Sequence, residues 1–353
     1  MTSPLPHLVS SSTLPTVNNR PTLAELEPLA KAVLAQYGLT AAELQNLRYY
    51  NNATYRVVAD DGQQFVLRVT CNHHGEARLR SEMQWLRAMQ SDTGVRVPDP
   101  VATLDGQLVV KASVPSVPEP RWCNVFQWLD GVLIAEAQMN AGDFGLMGSA
   151  SAHLHQTSAA FNPPPGFDRP QWDEEFRLVP DVNDTLGRVI AHLRGHLTTE
   201  AISRFVLLAE QARVLMSRLH QDPLSYGLIH ADLHAGNCLF RHDGVAFIDF
   251  EDLSWGYFLY DVATALFGLI EQPYYAGLTE AFTTAYTRTR PLPADFAHQL
   301  VLFQVLRAVF LTHLAVTRGD PGESAWWESY VVGKLRRLLR SEPELFMNGA
   351  SGD

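Results

Sequence analysis

The sequence is short of basic residues and of cysteines, and each shortage excludes a class of protein. Its 353 residues include 27 Lys and Arg against 38 Asp and Glu, a formal net charge of −11. Proteins that bind nucleic acid neutralise its phosphates with Lys and Arg, so this balance argues against a nucleic-acid partner. The three cysteines, Cys71, Cys123 and Cys238, form no CxxC pair. They provide no disulfide or zinc framework and predict a reduced, cytoplasmic compartment.

Segments typical of export or membrane insertion are also scarce. The start, MTSPLPHLVSSSTLP, lacks the basic residues and long apolar run of a signal peptide. The most apolar segment, LVLFQVLRAVFLTHLAV, carries Gln304, Arg307 and His313 at helical spacing, which indicates a mostly buried helix rather than a membrane span. We therefore expect no membrane partner, and nothing in the sequence indicates the oligomeric state.

The first third of the chain predicts a small lobe built on a sheet. Residues 1–20, rich in Ser, Pro, Thr and Asn, are typical of a flexible tail. Thr22 with Glu25, and Thr40 with Glu43, are spaced as capping boxes, which predicts two leading helices. Residues 45–129 then predict strand, strand, helix and three further strands, with Asp-Gly hairpins near 61–62 and 105–106.

The pattern becomes helical after Asp130-Gly131. Residues 144–158 and 199–221 have helical spacing, a short hairpin is predicted near 237–250, and the chain from Tyr260 onward is helical in pattern. We therefore predict an α+β, bilobal chain divided between residues 129 and 130. Residues 21–129 would form a small, mostly antiparallel sheet lobe with one main helix, and residues 130–353 a larger, mostly helical lobe.

The segment IHADLHAGN places four chemistry-bearing residues close together. Its polar side chains can simply cap neighbouring elements. Alternatively, His230 and His234 are four apart, like the ligands of a zinc-binding helix, although no Glu follows the first His and Gly236 disfavours a continuing helix. The third interpretation is phosphoryl transfer, which needs a carboxylate such as Asp232 to accept or orient a hydroxyl, and oxygen ligands such as Asn237 for Mg²⁺.

The spacing favours phosphoryl transfer. HADLHAGN matches the protein-kinase catalytic loop H-R-D-L-x-x-x-N at His230, Asp232, Leu233 and Asn237. Asp249, followed by Phe, falls at the start of the next loop, where the kinase D-F-G motif supplies a metal ligand. The predicted hairpin between the two loops places Asn237 and Asp249 side by side at one end.

At these residues the chain resembles the aminoglycoside phosphotransferase and choline kinase family, the phosphotransferase enzyme family with a protein-kinase-like fold. The match covers about residues 40–265, and its strongest motif is LIHADLHAGNCLF…AFIDFEDLSWGYFLYDVATAL. The family includes kinases of aminoglycosides, macrolides, choline, ethanolamine, homoserine and methylthioribose, and a bacterial stress-response protein kinase. The resemblance implies a Mg²⁺-dependent enzyme that moves the γ-phosphate of ATP, with GTP possible, to a small-molecule hydroxyl. The acceptor would be an amino alcohol or a homoserine-like, sugar or aminoglycoside-like compound.

The resemblance also assigns roles within this motif. Asp232 would be the catalytic Asp, and His230 would pack beneath the loop and orient it. Asn237 and Asp249 would hold Mg²⁺. Asp261, near the start of a helix, would brace the catalytic loop, and a plain helix N-cap is the alternative for this residue.

In the amino-terminal half the resemblance implies a phosphate-binding pair, with one departure. Arg68, in the strand FVLRV, stands where the family usually has Lys, and some members carry Arg here. Arg is permanently charged and can bind a phosphate through two N–H groups. Glu82 is its expected partner, and Glu76 is the second candidate. The alternative interpretation is that Arg68 is an ordinary surface residue of a strand.

The remaining nucleotide contacts implied by the resemblance fall on a bend and a hinge. The glycine-rich loop of kinases is absent, and YYNNATYRV replaces it with Asn52 as the candidate residue. The backbone groups of Gln127 and Leu129, in VFQWLDG, would bind the base.

A regulatory activation segment is missing. Only eleven residues separate Asp249 from Asp261, no A-P-E follows, and Ala231 replaces the H-R-D Arg. These absences favour a small-molecule kinase over a protein Ser/Thr kinase of the same fold. A nucleotide-binding regulator without catalysis is a further alternative, although the residues that it would be expected to lose are present.

The acceptor site has the weakest signature. Glu174, Glu251 and Trp255 can attract a cationic acceptor through carboxylates and an aromatic face, and Glu251 is also a third candidate for the metal. The alternative is that such acids cover a solvated loop and such aromatic residues fill the core.

Overall fold

The structure is a computed structural model, and it describes residues 21–49, 52–71, 75–90, 94–175, 182–318 and 326–340. The predicted tail, residues 1–20, lies outside these ranges. The α+β arrangement is confirmed, because a sheet-based amino-terminal part is followed by a helical carboxy-terminal part.

The amino-terminal part is an antiparallel sheet with two helices. Helix α1 begins at the predicted capping box of Thr22 and Glu25 and buries Leu26, Leu29 and Val33 against the sheet. The elements in chain order are α1 (Leu23–Gln36), β1 (Ala41–Tyr49), β2 (Asn52–Ala59), β3 (Gln64–Thr70), α2 (Glu76–Ala88), β4 (Pro100–Val101), β5 (Val110–Val114) and β6 (Val117–Gln127).

The sheet order is β1-β2-β3-β6-β4, and β5 also pairs with β6. All its pairings are antiparallel, and the register aligns Thr54 with Arg68 and Arg68 with Asn124. Arg68 therefore lies on β3, a central strand that is hydrogen-bonded to β2 on one side and to β6 on the other, and not at a sheet edge.

Two predicted elements of this part are wrong. Residues 41–49 form strand β1 and not a second leading helix, because pairing with β2 satisfies their backbone groups and outweighs a local capping signal. The turn predicted near 105–106 is present, and the N–H of Thr103 donates to the carbonyl of Gln107 across it at 2.8 Å, but the strands on its two sides do not pair with each other as the predicted hairpin requires. Instead β4 and β5 both pair with the long strand β6.

The carboxy-terminal part is mostly helical, as predicted. Its elements are α3 (Ala141–Ala160), α4 (Trp172–Glu175), α5 (Val182–Leu193), α6 (Thr199–Arg218), β7 (Tyr226–Ile229), β8 (Cys238–Arg241), β9 (Gly244–Phe247), β10 (Ser254–Tyr257), α7 (Phe258–Phe267), α8 (Tyr275–Tyr286), α9 (Phe296–Arg318), a π-helical turn (Glu328–Val332) and α10 (Gly333–Arg340). Within the described ranges, the apolar helix long enough to cross a membrane is Phe296–Thr317 in α9, and most of it is buried inside the protein. The prediction of a mostly buried helix is confirmed.

Two small antiparallel pairs present the candidate motif. Strands β8 and β9 form the predicted hairpin, with Cys238 opposite Phe247. Strand β10 pairs with β7, which brings Ser254 opposite Ile229. The IHAD loop and the DFED loop therefore leave neighbouring strand ends and face each other.

Candidate active site

Both loops contain a residue with left-handed backbone geometry. Ala231 has φ 65° and Asp249 has φ 68°, and they are the two non-glycine residues with positive φ among those described. A side chain in this region costs about 1–2 kcal/mol, and Ala has no polar group to offset the cost. Such strain persists only where surrounding contacts fix the backbone.

Asp261 supplies those fixing contacts. Its carboxylate accepts hydrogen bonds from the backbone N–H of His230 at 2.8 Å and of Ala231 at 2.9 Å. It is fully buried in the first turn of α7, and the N-cap of that helix is Tyr257. The alternative of a plain N-cap is therefore wrong, and the side chain instead binds the strained loop.

A buried histidine completes the surroundings of Asp261. Nε2 of His155 lies 3.1 Å from the Asp261 carboxylate, and Nδ1 lies 2.9 Å from the hydroxyl of Tyr286. Burial lowers the pKa of His155, and although Asp261 opposes this effect the net shift is downward. The ring is therefore neutral and donates from Nε2 to Asp261.

His230 lies beneath the loop and joins it to the second loop. Its Nε2 is 2.9 Å from the carbonyl oxygen of Ile248, and its Nδ1 accepts from the backbone N–H of Asp232 at 3.3 Å. Its ring packs on Phe250 with centroids 4.5 Å apart. Residues 230–234 are not helical, so the interpretation of His230 and His234 as a zinc pair on a helix is wrong.

Asp232 is held by a buried arginine that the sequence reasoning missed. Nη2 of Arg307, on α9, donates to the Asp232 carboxylate, and Nη1 lies 3.4 Å from the hydroxyl of Tyr260. Nε2 of His234 lies 3.4 Å from the other carboxylate oxygen. The sequence held one signal for this contact. Arg307 lies in a helix predicted to be mostly buried, and a buried Arg is almost always paired with an acid.

The charge state of Asp232 follows from these contacts. Burial alone would raise the pKa of its carboxyl group. The charges and hydrogen bonds of His234 and Arg307 outweigh burial, so the net pKa lies well below the usual range for Asp. Asp232 is therefore ionised throughout the neutral pH range.

Asn237 presents a side-chain oxygen atom that finds no hydrogen-bond donor in the described part of the chain. Its Nδ2 donates to the backbone carbonyl of Asp232 at 3.0 Å and to the Asp232 carboxylate at 3.3 Å. These two acceptors fix the orientation of the amide. Its Oδ1 is then buried with no hydrogen-bond partner among the described residues. A buried amide oxygen without a donor is a suitable ligand for a hard cation.

The backbone of the β8–β9 hairpin holds Asp249 beside Asn237. The N–H of Ile248 donates to the carbonyl oxygen of Asn237 at 3.0 Å. The Asp249 carboxylate is only partly buried and receives a contact from Nη1 of Arg48, on β1, at 3.0 Å. One carboxylate and one amide oxygen suit Mg²⁺, which is usually bound through one or two carboxylates and keeps other positions for water and phosphates.

Arg68 and Glu82 form a buried bidentate pair. The guanidinium donates to the two carboxylate oxygens at 2.9 and 2.8 Å, and Nε donates to Oδ1 of Asn124 at 3.1 Å. Both side chains are almost fully buried, so the alternative of a surface Arg is wrong. Glu76, the second candidate, instead pairs with Arg80 at 2.6 Å on the exposed side of α2.

Asn52 and Glu251 connect the sheet to the second loop. The amide of Asn52, at the start of β2, donates to the Glu251 carboxylate, and both side chains are buried. The charges of Glu251 and Asp249 both act on Arg68. The structure therefore brings these predicted residues of the two halves into one charged cluster.

The two hinge residues, Gln127 and Leu129, differ in which backbone groups are available to hydrogen-bond with a base. The N–H of Gln127 donates to the carbonyl of Asp99 at 2.9 Å, so this donor is already used. For Leu129, no such backbone bond exists within the part of the chain that the structure describes. Leu129 is therefore the better placed of the two to donate to a base.

Trp255 contacts the loop that precedes α4. Its backbone N–H donates to the backbone carbonyl of Pro170 at 2.8 Å, and its indole ring packs edge-on against Phe167 with centroids 6.3 Å apart. The backbone of Glu174 belongs to α4, and its side chain lies outside the described part of the structure. No described contact joins either residue to Asp232.

Comparison with known proteins gives concordant matches. The family model described as "Phosphotransferase enzyme family" matches residues 40–295. Amicoumacin kinase of Bacillus subtilis (strain 168) is 27% identical over 278 residues, which is 75% of each chain.

Solved structures match over most of their length. A microcompartment-associated aminopropanol kinase has a TM-score of 0.73 at 27% identity, over 87% of this chain and 95% of that one. The amicoumacin kinase hAmiN, in complex with AMP-PNP, Ca²⁺ and Ami, has a TM-score of 0.70 at 20% identity, over 89% and 95%.

Proposed function

The chain belongs to the phosphotransferase enzyme family and has its protein-kinase-like fold, and from this premise we propose that it is a Mg²⁺-dependent kinase using ATP or GTP. The family membership makes it a small-molecule phosphotransferase with a hydroxyl acceptor. The proposal concerns the nucleotide, the metal and the residues. The observation that carries it is the unpartnered Oδ1 of Asn237 beside the ionised carboxylate of Asp232.

Asn237 and Asp249 are the residues that would hold Mg²⁺. When bound, the ion would neutralise part of the charge on the nucleotide phosphates. Two of the chain's own cations in this region, Arg68 and Arg48, are each paired with a carboxylate, Glu82 and Asp249, so much of their charge is already offset. A divalent ion is therefore the natural counterpart for the phosphates.

Asp232 would orient the hydroxyl group of the acceptor and accept its proton. The acceptor oxygen forms a bond to the γ-phosphorus, the bond from that phosphorus to the β–γ bridging oxygen breaks, and the nucleoside diphosphate leaves. The hydroxyl proton passes to Asp232 and then to solvent. Because Arg307 and His234 keep the pKa of Asp232 low, this carboxylate is a weak base, and positioning is its larger contribution.

Arg68 would contact the nucleotide phosphates while Glu82 holds its guanidinium in place. The bidentate pair fixes the orientation of the fork, and Asn124 fixes its Nε side. The backbone of Leu129 and the carbonyl of Gln127 would bind the base.

The test is nucleotide consumption with a panel of acceptors. Purified protein with Mg²⁺ and ATP or GTP is offered amino alcohols, sugars, aminoglycosides, macrolides and a generic protein acceptor, and nucleoside diphosphate release is measured. Amino alcohols come first because one relative is named an aminopropanol kinase. We expect Mg²⁺-dependent release with a small-molecule acceptor. Release only with the protein acceptor would support a protein kinase, and nucleotide binding without release would support a non-catalytic regulator.

A further inference from the structure

Arg48 is an accessible cation in direct contact with a proposed metal ligand. Its side chain is 28% exposed, and its Nη1 lies 3.0 Å from Oδ2 of Asp249. A guanidinium carries five N–H donors in a planar fork. Within the described ranges the guanidinium of Arg48 makes this one hydrogen bond. Most of its donors are therefore available for a second partner.

The register of the sheet places Arg48 in one row with Arg68. Strand pairing aligns Arg48 with Thr54 and Thr54 with Arg68. Directly opposite residues of antiparallel strands project from the same face of a sheet, and two strand spacings separate these arginines by about 10 Å. Arg48 contacts Asp249, and the charge of Asp249 also acts on Arg68. Both arginines therefore lie on the sheet face that is turned toward the proposed metal ligands.

The two arginines differ in their freedom to change partner. Arg68 is buried, and its Nε and both Nη atoms already donate to Asn124 and to the two carboxylate oxygens of Glu82. Arg48 is partly exposed and has one carboxylate partner among the described residues. A long side chain with one exposed contact can rotate without breaking a buried network. Arg48 is therefore the arginine of this row that is better able to bind a ligand.

The present partner of Arg48 also indicates the chemistry of that ligand. A guanidinium binds carboxylates and phosphates through the same N–H fork. If Asp249 holds Mg²⁺ as proposed, the charge of its carboxylate is shared with the ion, and nucleotide phosphates lie in the same region. A phosphate oxygen then offers Arg48 an acceptor of the same kind as the one that it leaves.

Resting on the kinase activity proposed above, we propose that Arg48 binds the nucleotide phosphates, and that its pairing with Asp249 is the arrangement of the nucleotide-free protein. Arg48 stays on its strand and exchanges a carboxylate oxygen for a phosphate oxygen. The sheet thereby supplies a side-chain cation close to the bend at which the chain lacks a glycine-rich loop. Arg48 and Arg68 then contact the phosphates from two positions of one row.

The experiment measures binding and does not depend on turnover. Calorimetric titration gives the Kd of the nucleoside triphosphate that the wild-type protein prefers, with Mg²⁺ present, and the Kd of the corresponding nucleoside, which has no phosphate. In Arg48→Gln we expect the Kd of the triphosphate to rise by about tenfold, because a charge-assisted hydrogen bond is lost. The Kd of the nucleoside should not change.

The direction of the change separates this role from a simpler one. If Arg48 only neutralised Asp249, its removal would make the carboxylate more available to the ion. The affinity for the complex of Mg²⁺ and triphosphate would then stay the same or increase. Phosphate binding by Arg48 predicts a decrease in that affinity.

Two further variants control for charge and for folding. Arg48→Lys keeps a cation at this position and should recover part of the lost affinity for the triphosphate. Arg213→Gln, which breaks an exposed Arg–Glu pair on α6, should leave both Kd values unchanged. Circular dichroism melts show that each variant is folded.

The outcomes distinguish this inference from the function on which it rests. An unchanged or tighter triphosphate Kd in folded Arg48→Gln contradicts phosphate binding by Arg48 and leaves the kinase intact. A similar loss of affinity for the nucleoside, or a Lys variant that binds the triphosphate no better than the Gln variant, contradicts it as well. Failure of the wild-type protein to bind either ATP or GTP contradicts the proposed function itself, and the role of Arg48 falls with it.

Discussion

The guanidinium of Arg48 lies 3.0 Å from the carboxylate of Asp249, although the two residues are 201 positions apart in the sequence. Arg48 belongs to the first strand of the sheet, and Asp249 is a proposed ligand for Mg²⁺. If Asp249 binds Mg²⁺ as proposed, the ion would therefore compete with the guanidinium of Arg48 for this carboxylate.

Removing Arg48 should tighten metal binding in the absence of nucleotide. In Arg48→Gln, Asp249 loses the cation that is in direct contact with it. The pair is about a quarter exposed, so its effect is modest, about 0.2–1 kcal/mol, or up to about fivefold in the Kd for Mg²⁺. Calorimetric titration with Mg²⁺ measures this change. Arg56→Gln, on the neighbouring strand where Arg56 contacts Gln64, is the matched control. A weaker or unchanged affinity in Arg48→Gln would show that the pair does not compete with the metal.

Neutralising only one member of the pair formed by Arg68 and Glu82 should strongly destabilise the folded protein. Glu82→Gln leaves the buried guanidinium without its counter-charge, and we expect a loss of about 3–5 kcal/mol in the free energy of unfolding. Glu76→Gln makes the same change in an exposed pair on the same helix and should cost less than about 1 kcal/mol. Urea denaturation of both variants gives the comparison. Similar losses in the two would mean that burial of the Arg68 pair does not matter for stability.

Asp261→Asn should loosen the catalytic loop with little effect on the nucleotide. The amide keeps one acceptor oxygen but turns an NH₂ group toward a backbone N–H, so one of the bonds to His230 and Ala231 is lost. An unsatisfied buried donor costs about 1–3 kcal/mol. We expect a lower melting temperature and a kcat reduced by about tenfold or more, with KM for ATP within a few-fold of the wild type. A variant with wild-type kcat and a lower melting temperature would restrict Asp261 to a structural role.

Stability should fall on mild acidification because of His155. Its pKa in the folded protein is below the ordinary value of 6.5, so between these two values the unfolded chain binds more protons than the folded one. The free energy of unfolding therefore decreases as pH falls below about 6.5, by up to about 1.4 kcal/mol per pH unit, and is insensitive to this group above that value. Thermal melts between pH 5 and 8 measure it. His155→Gln should flatten the slope, whereas His242→Gln, at an exposed position, should keep it.

Local pattern was sufficient for some of the predictions that hold. The capping box of Thr22 and the hairpin after Asn237 depend on residues at short spacing. The partner of Arg68 was instead expected from the family resemblance, which aligned Glu82 with a known acid of the fold. The predicted second leading helix failed because residues 41–49 gain more from pairing with β2 than from a local helix.

The charged partners of the motif were not predictable in the same way. Arg307 and Asp232 are 75 residues apart, and Arg48 and Asp249 are 201 apart. No periodicity joins such positions, because only the packing of the whole chain brings them together.

Turnover by Asp232→Asn tests the proposed mechanism most directly. The substitution keeps the shape of the side chain and removes its charge, so the hydroxyl loses the group that would accept and orient it. Phosphorylated product formed from ATP and the best acceptor is quantified for variant and wild type, and Mg²⁺-dependent nucleotide binding is measured separately by calorimetry. We predict that kcat falls by about 10²–10⁴-fold while nucleotide affinity stays within a few-fold. A variant that forms product at near the wild-type rate would contradict the assignment of Asp232 as the catalytic residue.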